Sequence, residues 1–115
     1  MRRNVQLLIA HRELKMFKHV VMWQFKDEAD GQTKEQNLKA LKEKLMALKP
    51  LINEILSISC GSDVLKTDAS YDFALVADFD SADDFLIYRD HAEHKKVGEF
   101  VKTVTSARVC VDFEY

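Results

Sequence analysis

Residues 71–94 read YDFALVADFDSADDFLIYRDHAEH, and a change of period inside this stretch decides the fold. Up to Phe79 the pattern alternates. Phe73, Leu75, Ala77 and Phe79 face one way and Ala74 and Val76 the other, as in a strand. At Ser81 the alternation stops. A serine that can accept from the backbone, followed by Asp83 and Asp84 where carboxylates suit the helix dipole, marks a helix start. That helix continues through FLIYRDHAEHKKVGEFVKTV, in one piece or two.

The rest of the chain can be read outward from this strand-to-helix junction. Upstream, EILSISCGSD (54–63) reads as a strand weakened by Gly61, and VLKTDAS reads as a loop. Before it, Thr33 with Gln36 three residues on forms a capping box. The helix it starts carries a stripe of Leu38, Leu41, Leu45 and Leu48, with lysines and glutamates opposite, and Pro50 is expected to end it. HVVMWQFK (19–26) is a strand with His19, Val21, Trp23 and Phe25 on one face and Val20, Met22 and Gln24 on the other. Downstream, SARVCVDFEY closes the chain as a fourth strand.

The order β-α-β-β-α-β predicts an α+β fold, a ferredoxin-like sandwich with two helices on one face of a four-stranded antiparallel sheet. The residues facing away from the helices (Val20, Met22, Ala74, Val76) are also apolar. A domain this small does not leave such a patch wet, so a second copy is expected over it, giving a homodimeric α+β barrel.

Composition narrows the function. The chain has 115 residues, 47% of them apolar and 31% charged, enough for one globular domain and too few for two. Its net charge of -2 is unevenly spread: Arg2, Arg3, Arg12 and Lys15 stand against Glu13 in residues 1–15, and the remainder is acidic. An acidic body without a basic stripe argues against nucleic acid. No run is apolar enough for a membrane span, and MRRNVQLLIAHRELK lacks a cleavage site, so a cytoplasmic protein is expected. Cys60 and Cys110, without CxxC spacing, read as two buried reduced thiols, and a disulfide between them is left open.

Three segments together, KHVVMWQFKDE, YDFALVADFDSADDFLIYRDHAEH and VDFEY, resemble the stress-responsive A/B barrel (Dabb) family over residues 16–115. The family's usual start falls at Met16. Residues 1–15 therefore read as an N-terminal extension, or as the product of a start assigned upstream of Met16. A plant polyketide cyclase of the family closes its substrate by intramolecular aldol condensation without cofactor or metal. The resemblance implies His94 as base, Tyr88 as assisting donor and His19 at the start of the first strand, with Val21, Trp23, Leu75 and Ala77 as walls of the substrate cavity. Two positions depart from the family pattern. Ala92 stands where proline is usual, and Trp23 replaces a smaller residue.

Imidazole and phenol suit proton-transfer chemistry, one as a base near neutrality and the other as a donor to a developing oxyanion. On an unbroken helix, however, Tyr88 and His94 lie about 120° apart. They converge only if the chain breaks between them, and without proline that break has to come from packing. His91 and His94 are helix neighbours that could share a metal with Asp90 or Glu93, but no motif fixes a third ligand, so no metal and no cofactor are expected. Gly98 reads as a point of close helix-to-sheet approach. Two functional readings follow: a cofactor-free cyclase or isomerase acting on a small hydrophobic or aromatic molecule, or a non-catalytic binding or stress-associated dimer using the same pocket.

Overall fold

The computed structural model describes residues 15–115. Apart from Lys15, the expected extension lies outside the described residues.

Strand β1 (Phe17–Phe25) is the centre of the fold. Its odd-numbered residues, from Phe17 through His19 and Val21 to Trp23 and Phe25, are all buried. It pairs antiparallel with β5 (Phe73–Phe79) on one side and β6 (Thr105–Glu114) on the other. Strand β4 (Ser57–Ser62) pairs with β5, so the sheet order is β4-β5-β1-β6. The alternation read in residues 73–79 is what the strand shows: Phe73, Leu75, Ala77 and Phe79 are buried and the residues between are half-buried. The first and last strands lie side by side, closed at the end by reciprocal backbone bonds between Met16 and Tyr115 at 2.9 and 3.0 Å.

After β1 a two-residue hairpin, β2 (Glu28–Ala29) and β3 (Gln32–Thr33), turns through Asp30 and Gly31. Both turn residues have positive φ, 57° and 72°, the backbone that an Asp-Gly pair favours in a tight hairpin. Helix α1 (Lys34–Met46) starts on the complete capping box: Thr33 Oγ1 accepts from the Gln36 amide and Gln36 Oε1 accepts from the Thr33 amide. The leucine stripe is buried against the sheet as expected. The helix itself ends at Met46 with Ala47 as its C-cap, not at Pro50, which follows in a succession of turns.

The C-terminal helical region is in two pieces, α2 (Ala82–Asp90) and α3 (Ala92–Val104), so three helices cover the sheet. Ser81 caps α2 by accepting from the Asp84 amide at 3.1 Å. His91 takes the break with an extended backbone, φ -66° and ψ 139°. Its Nδ1 accepts from the Glu93 amide at 3.0 Å, so the side chain is the N-cap of α3. Ala92 thus occupies the first helical position, where proline is favoured for its fixed φ. A histidine cap does locally what proline would have done.

The core is formed by the inner residues of β1 and β5, the leucines of α1, Ile52, Ile55 and Ile58, and Tyr88, Val97 and Val104 from the C-terminal helices. No helix among the described residues is long and apolar enough to cross a membrane.

Candidate functional site

A cavity of about 400 Å³ lies between the helix-side face of the sheet and helices α2 and α3. Its deep wall comes from Trp23 on β1, Leu75 on β5 and Tyr88 at the end of α2, and its mouth from Arg108, Cys110 and Asp112 on β6. Of the expected wall residues, Trp23 and Leu75 line it. Val21 and Ala77 do not: both have no accessible surface and belong to the packed core beside it.

The break at His91 determines which side chains meet. It turns α3 back over the end of α2, so the rings of Tyr88 and His94 lie 4.3 Å apart between centroids. The ring of His19 is 6.4 Å from Tyr88 on the β1 side. All three side chains read from the sequence as a proton-transfer group line this one cavity. His91 stays out of it, spent as a cap.

Hydrogen bonds assign the histidine tautomers. His94 Nδ1 is 2.9 Å from the backbone carbonyl of Arg89. A carbonyl can only accept, so in the neutral ring the proton sits on Nδ1 and the Nε2 lone pair is free. His19 Nδ1 lies 2.5 Å from Asp112 Oδ1, and by the same argument the neutral ring donates from Nδ1 to the carboxylate. Burial lowers the pKa of His19 below its ordinary 6.5, outweighing the pull of Asp112 in the other direction. Burial lowers His94 as well, against the raising effect of the Arg89 carbonyl, with small further lowering from His19 and Arg108. Both rings are therefore neutral at pH 7 and available as bases.

Tyr88 is only 1% exposed, and among the described residues its hydroxyl has no hydrogen-bond partner. Burial pushes its pKa far up, so the phenol keeps its proton and can act only as a donor or a neutral acceptor. Trp23 Nε1 is buried and unpartnered in the same way. A buried polar group left unpaired costs about 1–3 kcal/mol, and both of these belong to side chains that line the cavity.

Sequence reasoning missed Asp112 and Arg108. Alternation within RVCVDF places Arg108, Cys110 and Asp112 on one face, and pairing of the first and last strands sets His19 opposite Asp112 and Trp23 opposite Arg108. The signal was a polar row where an apolar one was due. The two thiols also differ from expectation. Cys110 is exposed and Cys60 half-buried, and both are free. They sit on β6 and β4, the opposite edges of the sheet, about 14 Å apart at one strand spacing per step, too far for a bond within one chain. Gly98 was read as a close approach, but a Cβ there would meet nothing within 4 Å. It forms part of the cavity wall.

His91 Nδ1 accepts from the Glu93 amide, so its neutral ring carries the proton on Nε2 and offers no free lone pair beside that of His94. Among the described residues no three histidine, cysteine or acidic side chains are grouped as a metal site would require.

The architecture is that of a ferredoxin-like α+β domain holding histidines and a tyrosine in a crevice between sheet and helices. Residues 17–115 match the stress responsive A/B barrel domain, and the chain belongs to that family. A dimeric protein of unknown function from Bacteroides fragilis is 30% identical, with a TM-score of 0.78 over 87% of this chain and 96% of that one. A dimeric ferredoxin-like protein of unknown function from Thermobifida fusca is 27% identical, with a TM-score of 0.75 over 88% and 92%. The fold is shared as well with the hydroxynitrile lyase of Passiflora edulis, at 17% identity and a TM-score of 0.73 over 89% and 94%. No curated protein matches the chain by sequence.

Proposed function

We propose that this chain binds a small hydrophobic or aromatic carbonyl compound between sheet and helices and moves a proton on it without a cofactor, as a cyclase, isomerase or lyase does. The observation that carries this reading is the convergence of a free imidazole lone pair on His94 and an unpartnered buried phenol on Tyr88. His94 Nε2 takes the proton from carbon next to the carbonyl. The oxygen that gains charge accepts from the Tyr88 hydroxyl, which is buried and without a partner among the described residues, a setting in which such a bond is strong. His19, fixed by Asp112, is a second neutral base on the far side of the phenol. The same reading includes a second copy of the chain over the outer face of the sheet. The Bacteroides and Thermobifida proteins are dimers, and the Passiflora protein shows this fold hosting a lyase.

Exchange of the α-protons of phenylacetone in heavy water, followed by NMR, tests the chemistry. The protein should accelerate exchange, and His94→Gln should reduce that acceleration about 10²–10⁴-fold, the usual weight of a general base. The rate should fall on acidification with a midpoint below pH 6.5, because burial keeps His94 neutral to lower pH than an ordinary histidine. A ketone that binds but exchanges no faster than in buffer would leave a binding protein and remove the catalyst.

A further inference from the structure

The polar groups around this cavity are unevenly matched. Apart from the imidazole Nε2 atoms of His19 and His94, those without a partner are donors. Tyr88 Oη–H and Trp23 Nε1–H are both buried and unbonded. Arg108, register partner of Trp23 across β1 and β6, lines the mouth. Among the described residues its guanidinium forms no ion pair, and its one side-chain hydrogen bond is the 3.5 Å approach of Nη1 to Cys110 Sγ. The other two cations at the rim are engaged, Arg89 with Asp90 at 2.9 Å and Lys102 with Glu99 at 3.8 Å. The single acid of the lining, Asp112, is occupied by His19.

A guanidinium free of carboxylates beside an apolar crevice, with two orphan donors deeper in, is an acceptor-seeking site. Building on the proposed binding of a small hydrophobic molecule, we infer that the ligand is a monoanionic acid: its carboxylate sits at the mouth on Arg108, its apolar body lies along Leu75 and Val97, and a second oxygen further in accepts from Trp23 Nε1 or Tyr88. The planar fork of arginine matches a carboxylate bidentately. An amide or ester of the same shape offers only a neutral acceptor there and loses the charge-assisted pair. Trp23 is then more than a bulky wall, since its N–H helps to select a ligand bearing an oxygen within the crevice.

The chain reports on this site itself, because Trp23 is its only tryptophan. Titration of its fluorescence with 4-alkylbenzoates from ethyl to hexyl, each beside the matching benzamide, separates charge from shape. At least one acid should bind tenfold or more tightly than its amide and weaken as salt is raised. Arg108→Gln should erase that preference, with acid binding falling about tenfold or more and amide binding unchanged. Calorimetry on Trp23→Phe should show a smaller loss, confined to ligands that carry a second oxygen further along the ring, such as the 3-hydroxy acids. Acids and amides that bind alike, in wild type and Arg108→Gln, would overturn the anion assignment while leaving a hydrophobic binding cavity intact. Neither series binding would overturn both.

Discussion

Strand β6 has two rows that look exchanged. Facing the helices, where a half-buried strand normally presents its apolar side, it carries Arg108, Cys110 and Asp112. Facing away from them, where polar residues are the rule, it carries Val109, Val111 and Phe113, with Val111 63% exposed. Neighbouring β1 extends the outer row with Val20 and Met22, directly opposite Val111 and Val109. On β1 and β5 the inner row is buried throughout and, His19 apart, apolar. The contrast between edge strand and central strands shows that β6 is patterned for two tasks other than filling its own core. Its inner row furnishes the mouth of the cavity, and its outer row, uncovered among the described residues, is the face assigned above to a second copy. The polar part of that outer face lies at its end, where Tyr115 and Ser57 donate to Asp78 at 2.5 and 2.7 Å and Lys18 sits 3.5 Å from the same carboxylate. That cluster frames the apolar patch and marks its border.

The comparison is most exposed to a charge placed in the outer row. Val111→Asp puts a carboxylate into the proposed interface with no cation opposite, at a cost on the order of 3–5 kcal/mol. Dimer affinity should then fall at least about 100-fold, since each 1.4 kcal/mol is tenfold. Sedimentation velocity should show the wild type as a dimer and the variant as a folded monomer at the same concentration. A wild type that stays monomeric at high concentration would mean the outer row of β6 serves no second copy.

A smaller effect, of opposite sign, is expected on the inner side. Tyr88→Phe removes a buried hydroxyl that has no partner and leaves the ring in its contacts with Phe79 and His94. Exchanging an unsatisfied donor for an apolar edge should be neutral or should stabilise the ligand-free protein, by up to about 1–3 kcal/mol, read as a higher denaturant midpoint with unchanged slope. Ligand binding or proton exchange should fall in the same variant. Stability gained with function lost is the signature of a residue kept for its ligand. A destabilised Tyr88→Phe would show instead that the hydroxyl is satisfied in the folded protein.

The parts of the fold that the sequence displayed are those governed by local rules: alternation in residues 73–79, the capping box at Thr33, the serine cap at residue 81, the leucine stripe. Each is a property of a few consecutive residues. The parts it concealed depend on pairing at long range. Val21 and Ala77 were assigned to a cavity because they share a face with Trp23 and Leu75, but a face is wider than a cavity, and only the position of α2 and α3 decides which residues are covered by packing. Asp112 becomes the partner of His19 through a register 93 residues long in sequence. The break at His91 lay between these extremes. Proline would have announced it, whereas a histidine whose own ring caps the next helix looks, in sequence, like one more polar position on a continuous helix.

Gly98 brings the smallest and most discriminating test. As a point of close approach, the reading taken from sequence, it would reject any side chain, and alanine would force α3 away from the sheet. The structure shows open space at the Cβ position, and that space is the cavity. Gly98→Ala should therefore stabilise the helix by about 0.5–1 kcal/mol, the usual gain from removing glycine's backbone freedom, and raise the melting temperature by a few degrees. The new methyl should also shorten the longest alkyl chain the site accepts, weakening hexyl ligands while sparing ethyl ones. Destabilisation on substitution would restore the packing role and close the cavity at that wall. Stabilisation with an unchanged length limit would leave the helix gain intact and move the ligand's apolar end elsewhere along the crevice, toward Leu45 and Val101, which line it too.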